Sequence, residues 1–200
     1  MNKEDILFPY SKIRDVQGDM IKEVVDCIEN GKHALIHAPT GLGKTVATLG
    51  PALSIALRKN LTVFFLTSRH TQHRLAIDTL KDIKKEHGTK IISCDIIGKQ
   101  WMCGLDNVDK LFSNEFNDYC KKLREDNACE FYTNTKKKSG SPTVKALKIL
   151  DELKTFSPMH CEGLVEICIK EKLCPYEMSA LLAKEAQVIV ADYYLSSILL

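Results

Sequence analysis

The sequence has no apolar run that approaches the roughly 18 to 20 residues of a membrane span, and no signal-peptide core follows its first residues. It also has no strong excess of either charge: the net charge is +2, which by itself gives no argument for a nucleic-acid partner. We find no internal repeat and no low-complexity tract. The expectation from these absences is a soluble intracellular protein without a membrane partner.

The cysteines lack the close C-x₂-C pairs that are usual in zinc sites, although there are eight of them in 200 residues. In a reducing compartment they are not expected to form a disulfide framework. Buried, reactive and metal-binding thiols therefore all stay open as explanations. With 44% hydrophobic residues, the chain has enough apolar side chains for the core of one large domain or two small ones.

A phosphate-binding loop follows the short apolar run 34–36. Its residues are Ala38, Pro39, Thr40, Gly41, Leu42, Gly43, Lys44 and Thr45. Gly41 and Gly43 allow the backbone to approach a polyphosphate, around which N–H groups and the positive end of the next helix gather. Lys44 is expected to contact the β and γ phosphates and Thr45 to ligate Mg²⁺, so both are candidate catalytic residues. Ala38 departs from the general pattern, which begins with Gly.

The loop lies within an alternating pattern of strands and helices. Helices are predicted over 16–30, 45–59 and 70–86, and strands over 32–37, 62–67, 90–95 and 187–191. Pro51 is expected to kink the second helix. The alternation predicts an α/β domain with a parallel sheet and right-handed crossovers.

Between about Trp101 and Pro175 the alternation stops, and the chain becomes polar and rich in lysine and cysteine. Because an apolar run returns at 187–191, we interpret 101–175 as an insertion in a nucleotide-binding domain formed by 1–100 and 176–200. The insertion holds Cys103, Cys120, Cys129, Cys161, Cys168 and Cys174. Cys27 and Cys94 lie in apolar elements outside it and are interpreted as small buried hydrophobes.

The insertion has few large apolar residues for its length. A bound metal could therefore replace a hydrophobic core as its organising centre. Thiolates at wide, irregular spacing are more compatible with an iron–sulfur cluster than with zinc, although the spacing alone does not establish one.

Four short segments around these cysteines resemble the signature of the XPD/Rad3 helicases. They are Trp101-Met102-Cys103-Gly104, Tyr119-Cys120, Ala128-Cys129-Glu130-Phe131-Tyr132 and Leu173-Cys174-Pro175-Tyr176-Glu177. In that family four cysteines hold a [4Fe–4S] cluster in an insertion of the first motor domain. The resemblance thus implies as ligands Cys103, Cys120, Cys129 and Cys174, the last selected by the Pro-Tyr that follows it. Cys161, beside His160, and Cys168 remain rival ligands, and a zinc site that uses them is an alternative.

The resemblance extends to the ATP and DNA sites. Superfamily 2 helicases tolerate Ala at the first loop position, which accounts for Ala38. The segment 14–17 is similar to the family's adenine-recognising segment, which implies that Gln17 binds adenine with Arg14 nearby. The segment that follows the second predicted strand is similar to a motif that contacts the backbone of single-stranded DNA. It implies DNA-binding roles for Thr67, Ser68, Arg69, Thr71 and Gln72.

Residues 188–195 resemble the strand and turn that precede the family's Asp-Glu-Ala-His box, but no acidic box occurs before the sequence ends at Leu200. That box would bind Mg²⁺ and orient the attacking water. We therefore interpret the chain as the N-terminal part of a longer helicase, with an incomplete RecA-like motor domain and a mainly helical cluster insertion. By itself this part is expected to be inactive in ATP hydrolysis and unwinding.

The function that the resemblance implies is an ATP-dependent DNA helicase that moves 5′ to 3′ on single-stranded DNA and opens junctions, with DNA repair as the expected process. ATP, Mg²⁺ and a [4Fe–4S] cluster are the expected cofactors. The expected location is the cytoplasm, with nucleoid association, in a prokaryote and the nucleus in a eukaryote. The alternatives are a DinG-like helicase, a nucleotide- and metal-binding DNA module without motor activity, and a metabolic P-loop enzyme with a zinc insertion. The lysine run 136–138 fits either a DNA path or a solvated face.

Overall fold

The structure is a computed structural model, and it describes residues 6–195 of the chain. Its helices are α1 (Asp15–Glu29), α2 (Lys44–Lys59), α3 (His70–His87), α4 (Ser113–Glu125), α5 (Glu130–Thr135), α6 (Val144–Phe156), α7 (Cys161–Lys170) and α8 (Pro175–Ala183). Its strands are β1 (Val63–Thr67), β2 (Ser93–Ile96) and β3 (Val188–Asp192). Short 3₁₀ helices span Val108–Lys110 and Tyr193–Leu195. None of the helices within 6–195 is long and apolar enough to cross a membrane.

The three strands form one parallel sheet in the order β1-β3-β2. At the end of β1, Thr67 lies beside Asp192 of β3, and at the end of β2, Ile96 lies beside Ala191. Because the strands are parallel, their carboxyl ends meet at one edge of the sheet, where ligands bind in open α/β folds. The predicted α/β class with a parallel sheet is confirmed.

Both faces of the sheet are covered, as the alternation of side chains along β3 shows. Val188 and Val190 join a core made with residues of α2 and α3, whereas Ile189 and Ala191 join a core made with residues of α6, α7 and α8. All four side chains are buried. Burial on both faces explains why β3 is almost entirely apolar in sequence.

Part of the predicted insertion belongs to this layered core. Leu150 of α6 and Leu164 of α7 lie inside the range 101–175, yet both pack in the same cluster as Ile189 of β3. The insertion therefore contributes α6 and α7 to one of the two helical layers on the sheet, which α8 completes. The predicted boundaries at 100 and 175 remain a prediction.

The strand predicted over 32–37 is wrong. Residues 32–37 have no regular secondary structure, and the side chain of Leu35 is fully exposed. A strand needs a neighbour that pairs with its backbone N–H and C=O groups, and none of the strands within 6–195 pairs with this segment. The apolar character of 34–36 alone does not supply that partner.

The helix after the phosphate loop runs without interruption through Pro51. One turn later, the Ser54 hydroxyl donates to the carbonyl of Gly50 at 2.8 Å and accepts the N–H of Leu7 at 2.8 Å. The segment before α1 is thereby fastened to α2. Apolar contacts among Met20, Ile21 and Val46 complete the packing of α1 against α2 and bring the start of α1 to the phosphate loop.

Candidate nucleotide cleft and cysteine pocket

The phosphate loop has the backbone geometry that its glycines predict. Gly41 and Gly43 have φ angles of 81° and 82°, in the left-handed region that disfavours side chains with a Cβ. Gly43 is the residue before the first turn of α2, so the N-terminus of that helix opens directly onto the loop. The Lys44 ammonium donates to the carbonyls of Ala38 and Pro39 at 3.0 and 2.8 Å. The loop is therefore curled around the side chain that is predicted to contact phosphate.

Gln17 braces the loop from α1. Its side-chain amide donates to the carbonyl of Leu42 at 2.8 Å, and its Oε1 accepts the backbone N–H of Arg14 at 3.0 Å. Gln17 is buried, and a Cβ on Gly43 would lie only 2.6 Å from its Nε2. The Arg14 guanidinium, 3.5 Å from the carbonyl of Gly41, reaches the same loop. The structure thus brings both predicted adenine-site residues to the phosphate loop, with the Gln17 amide already in contact with protein groups.

One cleft gathers these groups, and α3 forms part of its wall. It is lined by Arg14, Gln17, loop residues including Lys44 and Thr45, and Gln72, Leu75 and Thr79 of α3. Gln72 was predicted as a DNA-binding residue, whereas the structure places it at the nucleotide cleft. Helix α3 therefore lines the nucleotide cleft and begins within the predicted DNA-binding segment, 67–72.

The predicted DNA-binding segment lies at the carboxyl edge of the sheet, between the end of β1 and the first turn of α3. Ser68, Arg69 and Thr71 are exposed there. Thr67 is buried, and its hydroxyl accepts the backbone N–H of Arg69 at 3.3 Å, so it shapes the turn. Exposed hydroxyls and a guanidinium beside a helix N-terminus can bind phosphate oxygens without reading base sequence.

The four cysteines selected by the resemblance line one pocket, although they come from separate parts of the chain. Cys103, Cys120, Cys129 and Cys174 are all in its wall. The other lining residues are mainly apolar or aromatic, including Phe116, Leu123 and Phe131. Gly104 has no room for a side chain, because a Cβ would lie 2.8 Å from the ring of Phe131. The Lys99 ammonium lies on the rim, 5.4 Å from the ring centre of Tyr176.

Burial raises the pKa of two of these thiols. The pKa of Cys174 is raised to about 12, and that of Cys103 is raised as well. Backbone N–H groups of Leu105 and Glu177 hydrogen-bond to the two sulfurs and partly oppose the shift. Within residues 6–195, no group of three or more His, Cys, Asp or Glu side chains has the geometry of a metal-ion site.

The rival cysteines lie elsewhere. Cys168 is completely buried in the core of the sheet domain, and burial raises its pKa to about 12. Cys161 begins α7, where its backbone N–H donates to Asp95 at 3.0 Å. Its neighbour His160 makes a 3.0 Å contact with Asp78 of α3 at the surface. The structure gives these residues roles in packing and in fixing the start of α7.

A buried polar group at the carboxyl edge was missed by the motif analysis. His73 of α3 is 2% exposed, and its Nδ1 lies 2.6 Å from Oδ1 of Asp95 in β2. Its Nε2 lies 3.3 Å from Asp192, the last residue of β3, without the alignment of a hydrogen bond. Carboxylates within apolar strands are rarely buried unless paired, and this was the signal that the sequence offered.

The two carboxylates determine the ionisation of His73. Burial lowers its pKa, but the hydrogen bond to Asp95 and the charges of Asp95 and Asp192 outweigh burial, so the pKa is raised above its ordinary value. The protonated imidazole therefore has a carboxylate near each of its nitrogens.

Residues 188–195 form β3 and a 3₁₀ helix, as the predicted strand and turn require. Residues 196–200, the rest of the stretch that precedes the expected acidic box, lie outside the described residues.

Comparison with known proteins agrees with this geometry. Residues 65–198 match the DEAD_2 family. A probable ATP-dependent helicase of Methanocaldococcus jannaschii is 36% identical over 84 residues, 42% of this chain and 12% of the relative. Regulator of telomere elongation helicase 1 of Rattus norvegicus is 25% identical over 232 positions, which cover 96% of this chain and 17% of the relative.

The fold also resembles a solved structure, described as an XPD helicase, with a TM-score of 0.56 at 23% identity. The match covers 93% of this chain and 29% of the solved one. The similarity to XPD/Rad3 helicases that the motifs predict is thereby confirmed. The chain spans 7% to 24% of the length of the curated relatives that it matches.

Proposed function

The chain belongs to the DEAD_2 family, and from this premise we propose that it supplies the ATP-binding half-site and a DNA-contacting edge of an XPD/Rad3-like DNA helicase. The observation that carries the proposal is the single cleft in which the phosphate loop, Gln17 and the first turns of α3 meet. ATP bound at the loop would contact a helix that begins in the DNA-binding segment. Such a shared element is what a nucleotide-driven motor on DNA requires.

Each loop residue has a defined task in this proposal. The N–H groups of 41–45 and the N-terminus of α2 bind the polyphosphate, and Lys44 turns from the carbonyls of Ala38 and Pro39 to the β and γ phosphates. Thr45 would ligate Mg²⁺, which would supply positive charge to the phosphates. Gln17 holds Leu42 in place and, by resemblance, reads the adenine edge.

DNA binds along the carboxyl edge of the sheet. Ser68, Arg69 and Thr71 present exposed polar groups to the phosphate backbone, which is the common mode for contacts that do not read sequence. The resemblance to XPD/Rad3 helicases implies movement in the 5′ to 3′ direction and a task in DNA repair, both of which belong to the proposal.

The cysteine pocket is proposed to hold the iron–sulfur cluster that the resemblance implies. Four cysteines around a mainly apolar pocket, with N–H groups on two of the sulfurs, match the ligands and surroundings of a [4Fe–4S] cluster. We assign Cys103, Cys120, Cys129 and Cys174 as its ligands. When bound, the cluster supplies a rigid cross-link between four distant segments.

The motor function is tested with the protein that contains this chain. We expect its ATP hydrolysis to be stimulated by single-stranded DNA, and we expect it to displace a strand from a duplex with a 5′ tail but not from one with a 3′ tail. Stimulation without any strand displacement on either substrate would favour a DNA-binding nucleotide switch. Hydrolysis that ignores DNA would overturn the proposal.

The cluster is tested by strictly anaerobic purification. We expect a brown protein with broad visible absorbance and about four iron atoms per chain. Colourless protein with stoichiometric zinc after the same preparation would replace the cluster by a zinc site.

A further inference from the structure

The carboxyl edge proposed to bind DNA also carries negative charge. Asp192 lies directly beside Thr67 in the register of β3 with β1, and Asp95 lies at the same edge on β2. The exposed residues that would contact a phosphate begin one position after Thr67. Two uncompensated carboxylates at this position would repel the phosphate backbone.

His73 lies between these carboxylates. It contacts Asp95 at 2.6 Å and approaches Asp192 to 3.3 Å, and its side chain is almost completely buried. In its protonated form it reduces the charge of the group from −2 to −1, and in a buried setting this change is screened little by salt. It belongs to α3, the helix whose first turn includes the end of the DNA-binding segment.

Asp95 extends the group to the insertion. Its Oδ1 contacts His73 while its Oδ2 accepts the N–H of Cys161 at 3.0 Å, in the first turn of α7. One buried carboxylate therefore fixes the start of α3, through His73, and the start of α7. Displacement of His73 would disturb both helices at the edge where DNA is proposed to bind.

We propose that His73 is a positioning residue for single-stranded DNA: its imidazolium cancels part of the charge of Asp95 and Asp192 and ties the first turn of α3 to the carboxyl edge, so that residues 68–71 can receive a phosphate. This inference rests on the proposed DNA binding. His73 does not contact DNA itself, because it is buried.

The charged and titratable groups that face His73 are few. They are Asp95 from β2, Asp192 from β3 and His70 from its own helix, whose ring centre is 5.8 Å away. The adjoining cavity is also lined by charged and titratable residues of α3 and of the start of α7, namely Arg74, Asp78, His160, Cys161 and Glu162. As the pH rises and His73 loses its proton, the charge at the edge returns to −2, and the affinity for DNA should fall.

The test measures the affinity of the protein that contains this chain for a fluorescent oligothymidine at fixed salt. His73→Asn retains a donor toward Asp95 but removes the positive charge. We expect it to weaken binding about tenfold, because both carboxylate charges then act on the phosphate backbone without compensation. Adding Asp192→Asn to this variant removes one repelling carboxylate and should recover most of the loss. A purely structural role for His73 predicts no such rescue.

The matched control is His160→Asn, which breaks the surface contact between His160 and Asp78 that also joins α7 to α3. Since exposed pairs contribute little, its affinity should stay within about twofold of wild type. The wild-type affinity should fall from pH 6 to pH 9, whereas that of His73→Asn should vary much less.

The outcomes distinguish a failure of the proposed DNA binding from a failure of the proposed role of His73. A wild-type protein that does not bind the oligonucleotide refutes the DNA-binding proposal itself. Wild-type binding with an unchanged His73→Asn, or a double variant as weak as the single one, overturns the inference about His73. If His73→Asn does not fold, the wild-type pH profile and the Asp192→Asn single variant decide, since a flat profile and an unchanged affinity would each contradict it.

Discussion

The nucleotide cleft and the cysteine pocket are built in opposite ways. The cleft is open and lined mostly by polar and charged residues, and most of its predicted residues belong to the single run 38–45, where two left-handed glycines set the backbone path. The pocket is mainly apolar, and its four cysteines come from four segments that only the fold brings together. A contiguous loop can keep its chemistry with local support, whereas the pocket depends on every segment being in place.

Cys174→Ser tests whether the cysteine pocket depends on every segment, and we expect it to have the largest effect of the variants considered. Loss of one ligand from a site built of four separate segments should release the whole cluster. The intact protein is expected to hold about four iron atoms per chain, and the variant should hold almost none. Iron analysis and the visible spectrum measure the loss. Cys27→Ser is the matched control, since Cys27 is a half-buried thiol outside the pocket and should leave the iron content intact. Full iron in Cys174→Ser would reassign the fourth ligand.

Lys44→Ala tests the nucleotide cleft, whose main residues are contiguous in sequence. Lys44 supplies charge to the phosphates at the transition state, so DNA-stimulated turnover should fall by about a hundredfold or more. The iron content should not change, because the cleft and the pocket share no residue. Lys22→Ala, which alters an exposed lysine paired with Asp19, serves as the control. Turnover close to wild type in Lys44→Ala would remove the phosphate loop from the mechanism.

The same contrast explains what the sequence could predict. The phosphate loop, α2 and α3 were predictable because their signals are local: glycines at fixed spacing and apolar residues at helical period. The bounds of α2 and α3 each differ from the prediction by one residue at one end. The strand over 32–37 was not predictable in this way, since a strand depends on a partner that lies elsewhere in the chain.

Sites whose residues come from separate segments were harder to predict from the sequence. Spacing alone left iron, zinc and buried thiols open, and only the resemblance selected Cys174 over Cys161 and Cys168. The group of His73, Asp95 and Asp192 was missed altogether, because its members belong to no common motif and meet only when β2, β3 and α3 pack. A charged residue within an apolar strand can be recognised in the sequence as one that needs a partner, but the sequence does not show which residue that partner is.

The third prediction concerns this missed group and its dependence on pH. Since the pKa of His73 is raised in the folded protein, its contribution to stability is complete below its unfolded pKa of about 6.5 and is lost as the pH rises through the folded value. His73→Asn should therefore lower the free energy of unfolding by about 1 to 3 kcal/mol at pH 5.5, and by less at pH 9. Denaturant unfolding of both proteins at several pH values measures the difference. If the difference in the free energy of unfolding between the two proteins instead grows as the pH rises, the buried imidazole is neutral.

The smallest effect is expected from Gln17→Ala, which tests whether the contiguous loop needs help from outside. The variant removes the bonds from Gln17 to Leu42 and Arg14 and should weaken nucleotide binding about tenfold. The comparison of ATP with GTP then separates two roles. If Gln17 chiefly braces the loop, both nucleotides lose affinity equally, since the phosphates are common to them. If it reads the adenine edge, ATP loses affinity and GTP does not. Asp19→Asn, on the exposed face of α1, controls for changes in the helix itself. Equal losses of affinity for ATP and GTP would show that the phosphate loop also depends on a residue from another helix. The nucleotide cleft and the cysteine pocket would then differ only in how strongly each depends on distant segments.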